Sequence, residues 1–195
     1  MHPLRKLYNW TIALARHPKA EWALFAIAFA ESSFFPIPPD VLLIAMAVAI
    51  PLRAFRYATI TAVGSVLGGV AGYAIGAFVF GAIGQPIIAF YHAESLVMSI
   101  GAKYESYAFW TVFTAAFTPI PYKVITIAAG FFKISFAPFV IASALGRSLR
   151  FFLVAWLIHH YGARITAFID KYFNVLSFAF TVLLIGGYLL IVYVF

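Results

Sequence analysis

Five ionisable side chains lie within or beside apolar stretches of this sequence, where charge is costly. Glu31 interrupts an otherwise uncharged run, and Asp40 follows a proline-rich turn. Lys123 follows a second such turn, while Arg147 and Arg150 lie inside a later apolar segment. An ionised group at the centre of a bilayer costs about 2.5 kcal/mol or more unless it meets a partner or water. We therefore treat these five residues as candidate functional residues.

The residue types indicate proton and phosphate chemistry. Glu31 and Asp40 are candidates for proton or charge coupling, with Glu31 as the proton carrier, because burial favours the protonated form of a carboxyl. Arg147 and Arg150 are three residues apart and share a helix face. Two guanidinium groups on one face suit bidentate binding of phosphate, and Lys123 would add a third positive charge. We expect all five side chains to converge on one polar cavity.

Each of these assignments has a structural alternative. Arg147 and Arg150 could extend to the membrane surface, as long basic side chains do near helix ends. Asp40 could be a helix N-cap. His159 and His160 are expected at the membrane surface rather than in a metal site, and the sequence gives no catalytic constellation, metal site or cofactor motif.

Two proline-rich turns divide apolar runs that are too short to cross a bilayer, which needs about 20 helical residues. We predict re-entrant hairpins over residues 22–50 and 107–132, tolerated at membrane depth only inside protein or a wet cavity. A constant offset of 83 residues relates the turns, so we predict an internal repeat that one intervening span would invert. Chance recurrence in an apolar chain is the alternative. The turn prolines are Pro36, Pro38 and Pro39 in the first copy, and Pro119 and Pro121 in the second.

The remaining segments predict an all-α integral membrane protein with about three full spans. The spans are expected at residues 55–82, 138–160 and 172–195, with an amphipathic interfacial helix at 1–19 and the core domain at 20–162. Gln85 and Pro86 are expected to end the first span, with a surface helix or loop over 87–107. Four glycines recur every fourth residue on one helix face and favour close helix packing: Gly64, Gly68, Gly72 and Gly76.

Composition supports membrane residence. Of the 195 residues, 65% are hydrophobic and 10% are charged, against about 45–50% and about 25% in a soluble domain. The chain has no cysteine, which excludes disulfides and thiolate chemistry. The net charge of +7 suits anionic lipid headgroups better than nucleic acid, because the basic residues cluster at the ends of apolar segments. The basic N-terminal region predicts that this end is cytoplasmic.

The segments from Glu31 to Asp40 and from Gly146 to Phe151 resemble the DedA family, within the SNARE-associated Golgi or VTT-domain superfamily. The second proline motif is most similar to the YqaA-like branch. The resemblance implies two opposed re-entrant hairpins in the bacterial inner membrane, lipid translocation, and an acidic pair at Glu31 and Asp40. Many members carry two arginines around the second proline motif, where this chain has Ala116 and Tyr122, with Lys123 as the one nearby base.

These observations together predict a flippase- or scramblase-like lipid transporter without enzymatic activity. Its substrate would be a phosphate-bearing lipid, such as undecaprenyl phosphate or a phospholipid, and transport could be coupled to protons. One alternative is a proton-coupled exporter of small solutes or ions, and another is a non-transport membrane scaffold. The oligomeric state is left open.

Overall fold

The computed structural model describes residues 19–35, 38–90, 94–118 and 120–162, and the regular structure within these ranges is helical. The predicted N-terminal interfacial helix (apart from residue 19), the predicted C-terminal span, Pro36 and Pro119 lie outside the described residues. The helices are α1 (Ala20–Ser33), α2 (Asp40–Ala49), α3 (Ala54–Ala74), α4 (Gly81–Phe90), α5 (Glu94–Ser106), α6 (Ala108–Phe117), α7 (Tyr122–Phe131) and α8 (Phe136–Tyr161).

Two of the described helical segments are long and apolar enough to cross a membrane, namely Pro51–Phe78 and Phe136–Tyr161. The outward faces of α3 and α8 keep large aliphatic side chains about half exposed, as at Leu67 and Leu145. Soluble monomers rarely expose extended apolar faces of this kind, whereas lipid solvates them.

The long helix that contains α3 does not stop where the sequence suggests. A π-helical segment, Ile75–Phe80, joins α3 to α4. The expectation that Gln85 and Pro86 end the span is wrong, since both residues lie inside α4. A proline removes one backbone donor, and a helix that can bend locally continues past it with one hydrogen bond fewer.

The helices α3 and α8 run antiparallel. At one end the Pro51 carbonyl oxygen, just before α3, lies 3.0 Å from Nδ1 of His159 near the end of α8. At the other end the Tyr73 hydroxyl donates to the Ile134 carbonyl just before α8, at 2.7 Å. These two contacts define the two ends of the bundle.

The short helices form two pairs attached at opposite ends of this bundle. The pair α1 and α2 is anchored at the start of α3, where Arg56 Nη2 lies 2.7 Å from Glu21 Oε2. The pair α6 and α7 leads directly into the start of α8, where Glu105 of α5 accepts hydrogen bonds from Ser135. The break in each pair, which is the turn between its two short helices, therefore lies towards the middle of the long helices. At that level Ser32 and Ser65 hydroxyls are 2.7 Å apart.

The four regularly spaced glycines of α3 and its π-helical extension lie against both helix pairs. A Cβ on Gly64 would stand 2.8 Å from the Phe25 carbonyl oxygen of α1, and Gly68 is packed against Phe29. Gly72 lies beside Thr126 of α7, and Gly76 packs against the Ile127 backbone. The glycine face thus admits the backbone of α1 along its first half and the backbone of α7 along its second half.

A fifth glycine makes a similarly close approach in the opposite direction. A Cβ on Gly130 of α7 would overlap the Tyr73 carbonyl oxygen and lie 2.8 Å from the Ala77 backbone nitrogen. Gly76 and Gly130 together let the π-helical segment and α7 pack backbone to backbone. This close crossing fixes the position of α7, and with it the second helix pair, against the long helix.

Gly130→Ala is expected to destabilise the protein. Alanine raises helix propensity by about 1 kcal/mol, but the new methyl group would meet backbone atoms that cannot rotate away, at a cost of about 1–3 kcal/mol or more. Thermal unfolding of the detergent-purified protein should show a lower midpoint. The control is Gly101→Ala, whose methyl group meets only the movable Phe132 ring at 3.2 Å. Equal midpoints for both variants would contradict the proposed packing.

The Glu105 contact should loosen in acid. The side-chain and backbone hydrogen bonds from Ser135 lower the pKa of Glu105 below its ordinary value of 4.5. A lowered pKa means that the contact is fully present above 4.5 and is lost as the pH falls through the lowered value. The distance between spin labels at the exposed positions Ala102 and Ala137 should therefore increase, or its distribution broaden, only in strong acid. In Glu105→Gln the broadening should already be present at neutral pH, and identical distances in both proteins would contradict the tether.

Candidate functional site

The centre of the bundle contains a carboxylate–guanidinium pair between α2 and α8. Arg150 donates from Nε to Asp40 Oδ1 at 3.2 Å and from Nη2 to Asp40 Oδ2 at 3.0 Å. Its Nη1 donates to the Thr118 carbonyl at 2.8 Å, at the end of α6. One arginine of α8 therefore holds the start of α2 and the end of α6 together, and so links the breaks of both helix pairs.

A second pair lies one turn earlier on α8. Arg147 Nη2 lies 3.4 Å from Glu31 Oε2 near the end of α1. The Arg147 side chain is only 3% exposed, against 17% for Glu31 and 21% for both Asp40 and Arg150. The guanidinium carbon of Arg147 lies over the Tyr122 ring, 4.0 Å from its centroid. Arg147 is thus enclosed, while the other pair remains partly accessible.

Hydroxyl groups connect these charges to α3 and α7. The Ser32 hydroxyl lies 3.1 Å from Glu31 Oε2 and 2.7 Å from the Ser65 hydroxyl. Thr126 Oγ1 bonds the Lys123 carbonyl at 2.9 Å and approaches the Ser32 carbonyl at 3.4 Å. Ser33 Oγ donates to the Phe29 carbonyl at 2.8 Å. These hydroxyls supply partners to backbone and carboxylate groups at the breaks, where helical hydrogen bonding stops.

Four of the five candidate charges meet at this position, and both arginines are paired. The alternative that they extend to the membrane surface is wrong for the described structure, because α8 places them near its middle facing α1 and α2. The N-cap alternative for Asp40 is also wrong. Asp40 is the first residue of α2, makes no capping bond, and directs its carboxylate to Arg150.

Lys123 makes no ion pair with a carboxylate among the described residues, and its side chain is half-buried. Of the turn prolines, Pro39 is buried before α2, whereas Pro38 and Pro121 are exposed. The role of Lys123 in phosphate binding stays a prediction.

Sequence reasoning missed Tyr122, Ser65 and Thr126. Tyr122 was noted only as a substitute for an expected arginine, yet it lies under the Arg147 guanidinium. A sequence signal did exist, since an aromatic residue begins α7 beside a proline break and a buried arginine needs a partner. Its pairing with a residue 25 positions later depends on the tertiary contact between α7 and α8.

The site is electrically balanced, with two carboxylates opposite two guanidinium groups. The bidentate pair uses the same Arg150 edge that would bind a phosphate. A phosphate at that edge would compete with the Asp40 carboxylate.

Comparison with known proteins identifies the family. The VTT domain family matches residues 37–160, so the chain belongs to this family, the domain family of DedA proteins. This confirms the family resemblance, while the YqaA-like branch stays a prediction. The chain is accordingly a helical membrane protein.

Two relatives cover nearly the whole chain. An uncharacterised protein of Haemophilus influenzae is 35% identical over 185 residues, which is 95% of this chain and 96% of the relative. An uncharacterised homologue from Histophilus somni is 33% identical over the same shares of both chains. No solved structure matches this chain.

A double-mutant cycle should show that the Asp40–Arg150 pair is coupled. Combining Asp40→Asn with Arg150→Gln should give a coupling free energy of about 1–3 kcal/mol, because each single change leaves a partner inside an apolar bundle. The matched control is the exposed Glu21–Arg56 pair, expected below about 1 kcal/mol. Denaturant unfolding in micelles measures both cycles. A coupling at Asp40–Arg150 no larger than the control would contradict the geometry.

Proposed function

We propose that this protein moves a phosphate-bearing lipid across the bilayer, as a flippase or scramblase. The observation that carries the proposal is the paired charge cluster at the breaks of two short helix pairs, within helices that are otherwise apolar. Charges at membrane depth need a purpose beyond stability, because hydrophobic replacements of buried ion pairs are often neutral or stabilising. A headgroup that must cross an apolar layer supplies that purpose.

In this proposal the pairs α1–α2 and α6–α7 are re-entrant hairpins that enter the membrane from opposite faces. Their attachment at opposite ends of the antiparallel α3 and α8 supports this arrangement. It also agrees with an inverted repeat around a central site, which many transporters use for alternating access. We place the protein in the bacterial inner membrane as a multi-pass protein with a cytoplasmic N-terminus, on the basis of the basic N-terminal region.

The Asp40–Arg150 pair is the proposed headgroup site. It is about one-fifth exposed, so a phosphate can reach it, whereas Arg147 is 3% exposed. A phosphate that takes the bidentate edge of Arg150 releases the Asp40 carboxylate. Protonation of that carboxylate removes a negative charge from the site, so that headgroup binding and proton uptake occur together.

Glu31 is the proposed second proton-binding group. Among the described residues, its carboxylate has one cationic contact, the 3.4 Å approach of Arg147, and one hydroxyl donor. This is weaker pairing than the two hydrogen bonds between Asp40 and Arg150. Glu31 can therefore change protonation without dismantling the connection between the two helix pairs.

Arg150→Ala and Glu31→Gln should each reduce lipid translocation. The assay follows a fluorescent phosphate-bearing lipid in proteoliposomes, with each variant first shown to be folded by size-exclusion chromatography. Loss of the phosphate contact in Arg150→Ala should lower the rate by about tenfold or more, since a charge-assisted bidentate contact contributes about 1.5–3 kcal/mol. Arg56→Ala, which removes an exposed ion pair, is the matched control and should transport normally.

Two outcomes would count against the proposal. Unchanged translocation in both folded variants would remove the charge cluster from the mechanism. The second outcome is an unmodified protein that moves no lipid but dissipates a pH gradient when a water-soluble substrate is added. That result would favour a proton-coupled exporter of small solutes instead.

A further inference from the structure

Arg147 is buried with too few conventional partners for its charge. Its side chain is 3% exposed, and its one carboxylate contact among the described residues is the 3.4 Å approach to Glu31. Its Nε has no hydrogen-bond partner among the described residues. Burying an ionised group requires compensation by a counter-ion or by several hydrogen bonds. Something else must therefore stabilise this guanidinium.

The Tyr122 ring is the group in the right position. The Arg147 guanidinium carbon lies 4.0 Å from the ring centroid, well within the roughly 6 Å range of a cation–π contact, whereas the Phe151 ring is 5.8 Å away. Tyr122 is itself 1% exposed and begins α7. A Cβ on Gly69 would lie 2.5 Å from its hydroxyl oxygen, so α3 closes around the tip of the ring. The buried ring therefore has Arg147 over its face and the backbone of α3 at its hydroxyl end.

The ring and the Glu31 carboxylate share one guanidinium. The closer Arg147 stays to the ring face, the less completely it pairs with Glu31, and the 3.4 Å separation is long for a charge-assisted hydrogen bond of about 2.7–2.9 Å. The ring also gives Arg147 a partner that remains when Glu31 becomes neutral. Without it, each protonation of Glu31 would leave a buried cation with no adjacent partner of its own.

We propose that Tyr122 is a positioning residue whose ring face holds Arg147 and thereby lets Glu31 take up and release protons. This inference deepens the proposed function, because it assigns the regulation of proton binding at the same site, and it rests on that function for the role of Glu31 in transport. Arg147 is then a fixed charge that is not released to the substrate, and Arg150 alone binds the headgroup.

The charged and hydroxyl groups around the Glu31–Arg147 pair come from several helices. From α8 come Arg147 and, further away, Arg150 with its partner Asp40 of α2. From α1 and α3 come the hydroxyls of Ser32 and Ser65. From α7 comes Tyr122, whose buried hydroxyl lies close to Ser143 of α8. Tyr122→Phe removes that hydroxyl and keeps the ring, so it separates the hydroxyl from the ring contact with Arg147.

The test measures the protonation midpoint of Glu31 in lipid nanodiscs by carbon-13 NMR of its carboxyl group, assigned by loss of the signal in Glu31→Gln. In Tyr122→Leu, Arg147 should move onto Glu31 and lower the midpoint by about one pH unit, at the low end of the effect of a nearby opposite charge on a carboxyl. In Tyr122→Phe the ring remains, so the midpoint should not change. The control is Phe139→Leu, which removes a fully buried ring from the same core without a cation above it.

Several results would overturn the inference. One is a Glu31 midpoint that is unchanged or raised in Tyr122→Leu. Another is a shift in Tyr122→Phe or in Phe139→Leu as large as the shift in Tyr122→Leu. If Tyr122→Leu does not fold, stepwise fluorinated phenylalanines at position 122 replace it, because fluorine weakens the negative ring face with little change of shape. The midpoint should then fall with each added fluorine, and a constant midpoint would overturn the inference.

This measurement needs neither substrate nor transport, so it separates the two proposals. A shifted midpoint in a protein that moves no lipid would overturn the proposed function and leave the role of Tyr122 standing. Lipid transport that depends on Arg150, together with a constant Glu31 midpoint across the Tyr122 variants, would support the proposed function and overturn the role of Tyr122.

Discussion

The need to neutralise charge inside an apolar bundle determines how this protein is assembled. Two arginines on one face of α8 face two carboxylates, one at the end of α1 and one at the start of α2. Because an unpaired charge inside an apolar bundle is costly, the ion pairs hold the break between α1 and α2 against the centre of α8. Arg150 extends the same constraint to the second helix pair through the Thr118 carbonyl. One set of ion pairs thus fixes the relative position of both breaks.

Close helix packing makes this arrangement sterically feasible. Glycines on α3 and on α7 allow backbone-to-backbone contact, so the short helices lie deep against the long ones and their ends reach the charge cluster. The hydroxyls of Ser32, Ser65 and Thr126 then satisfy polar groups at the breaks. A polar centre and an apolar exterior follow from the same packing, and the proposed movement of a lipid headgroup would require this combination.

The sequence predicted a large part of this arrangement because bilayer physics acts on short, readable patterns. Charged residues in apolar runs revealed Glu31, Asp40, Arg147 and Arg150, and proline breaks revealed the short helices. Pro86 was misread, because a local rule treats proline as a helix end and takes no account of a helix that bends and continues. Tyr122 was overlooked because the direction of its side chain depends on how α7 is rotated against α8, and neither composition nor spacing specifies that rotation.

The most direct test of this account is an experimental structure of the protein in lipid nanodiscs, determined by electron cryomicroscopy with and without a phosphate-bearing lipid. The account predicts that Asp40 and Arg150 are in contact near the middle of the hydrocarbon layer without that lipid, and that a phosphate replaces the carboxylate when it is bound. A structure with Asp40 and Arg150 apart, each at headgroup depth and surrounded by water, would contradict it.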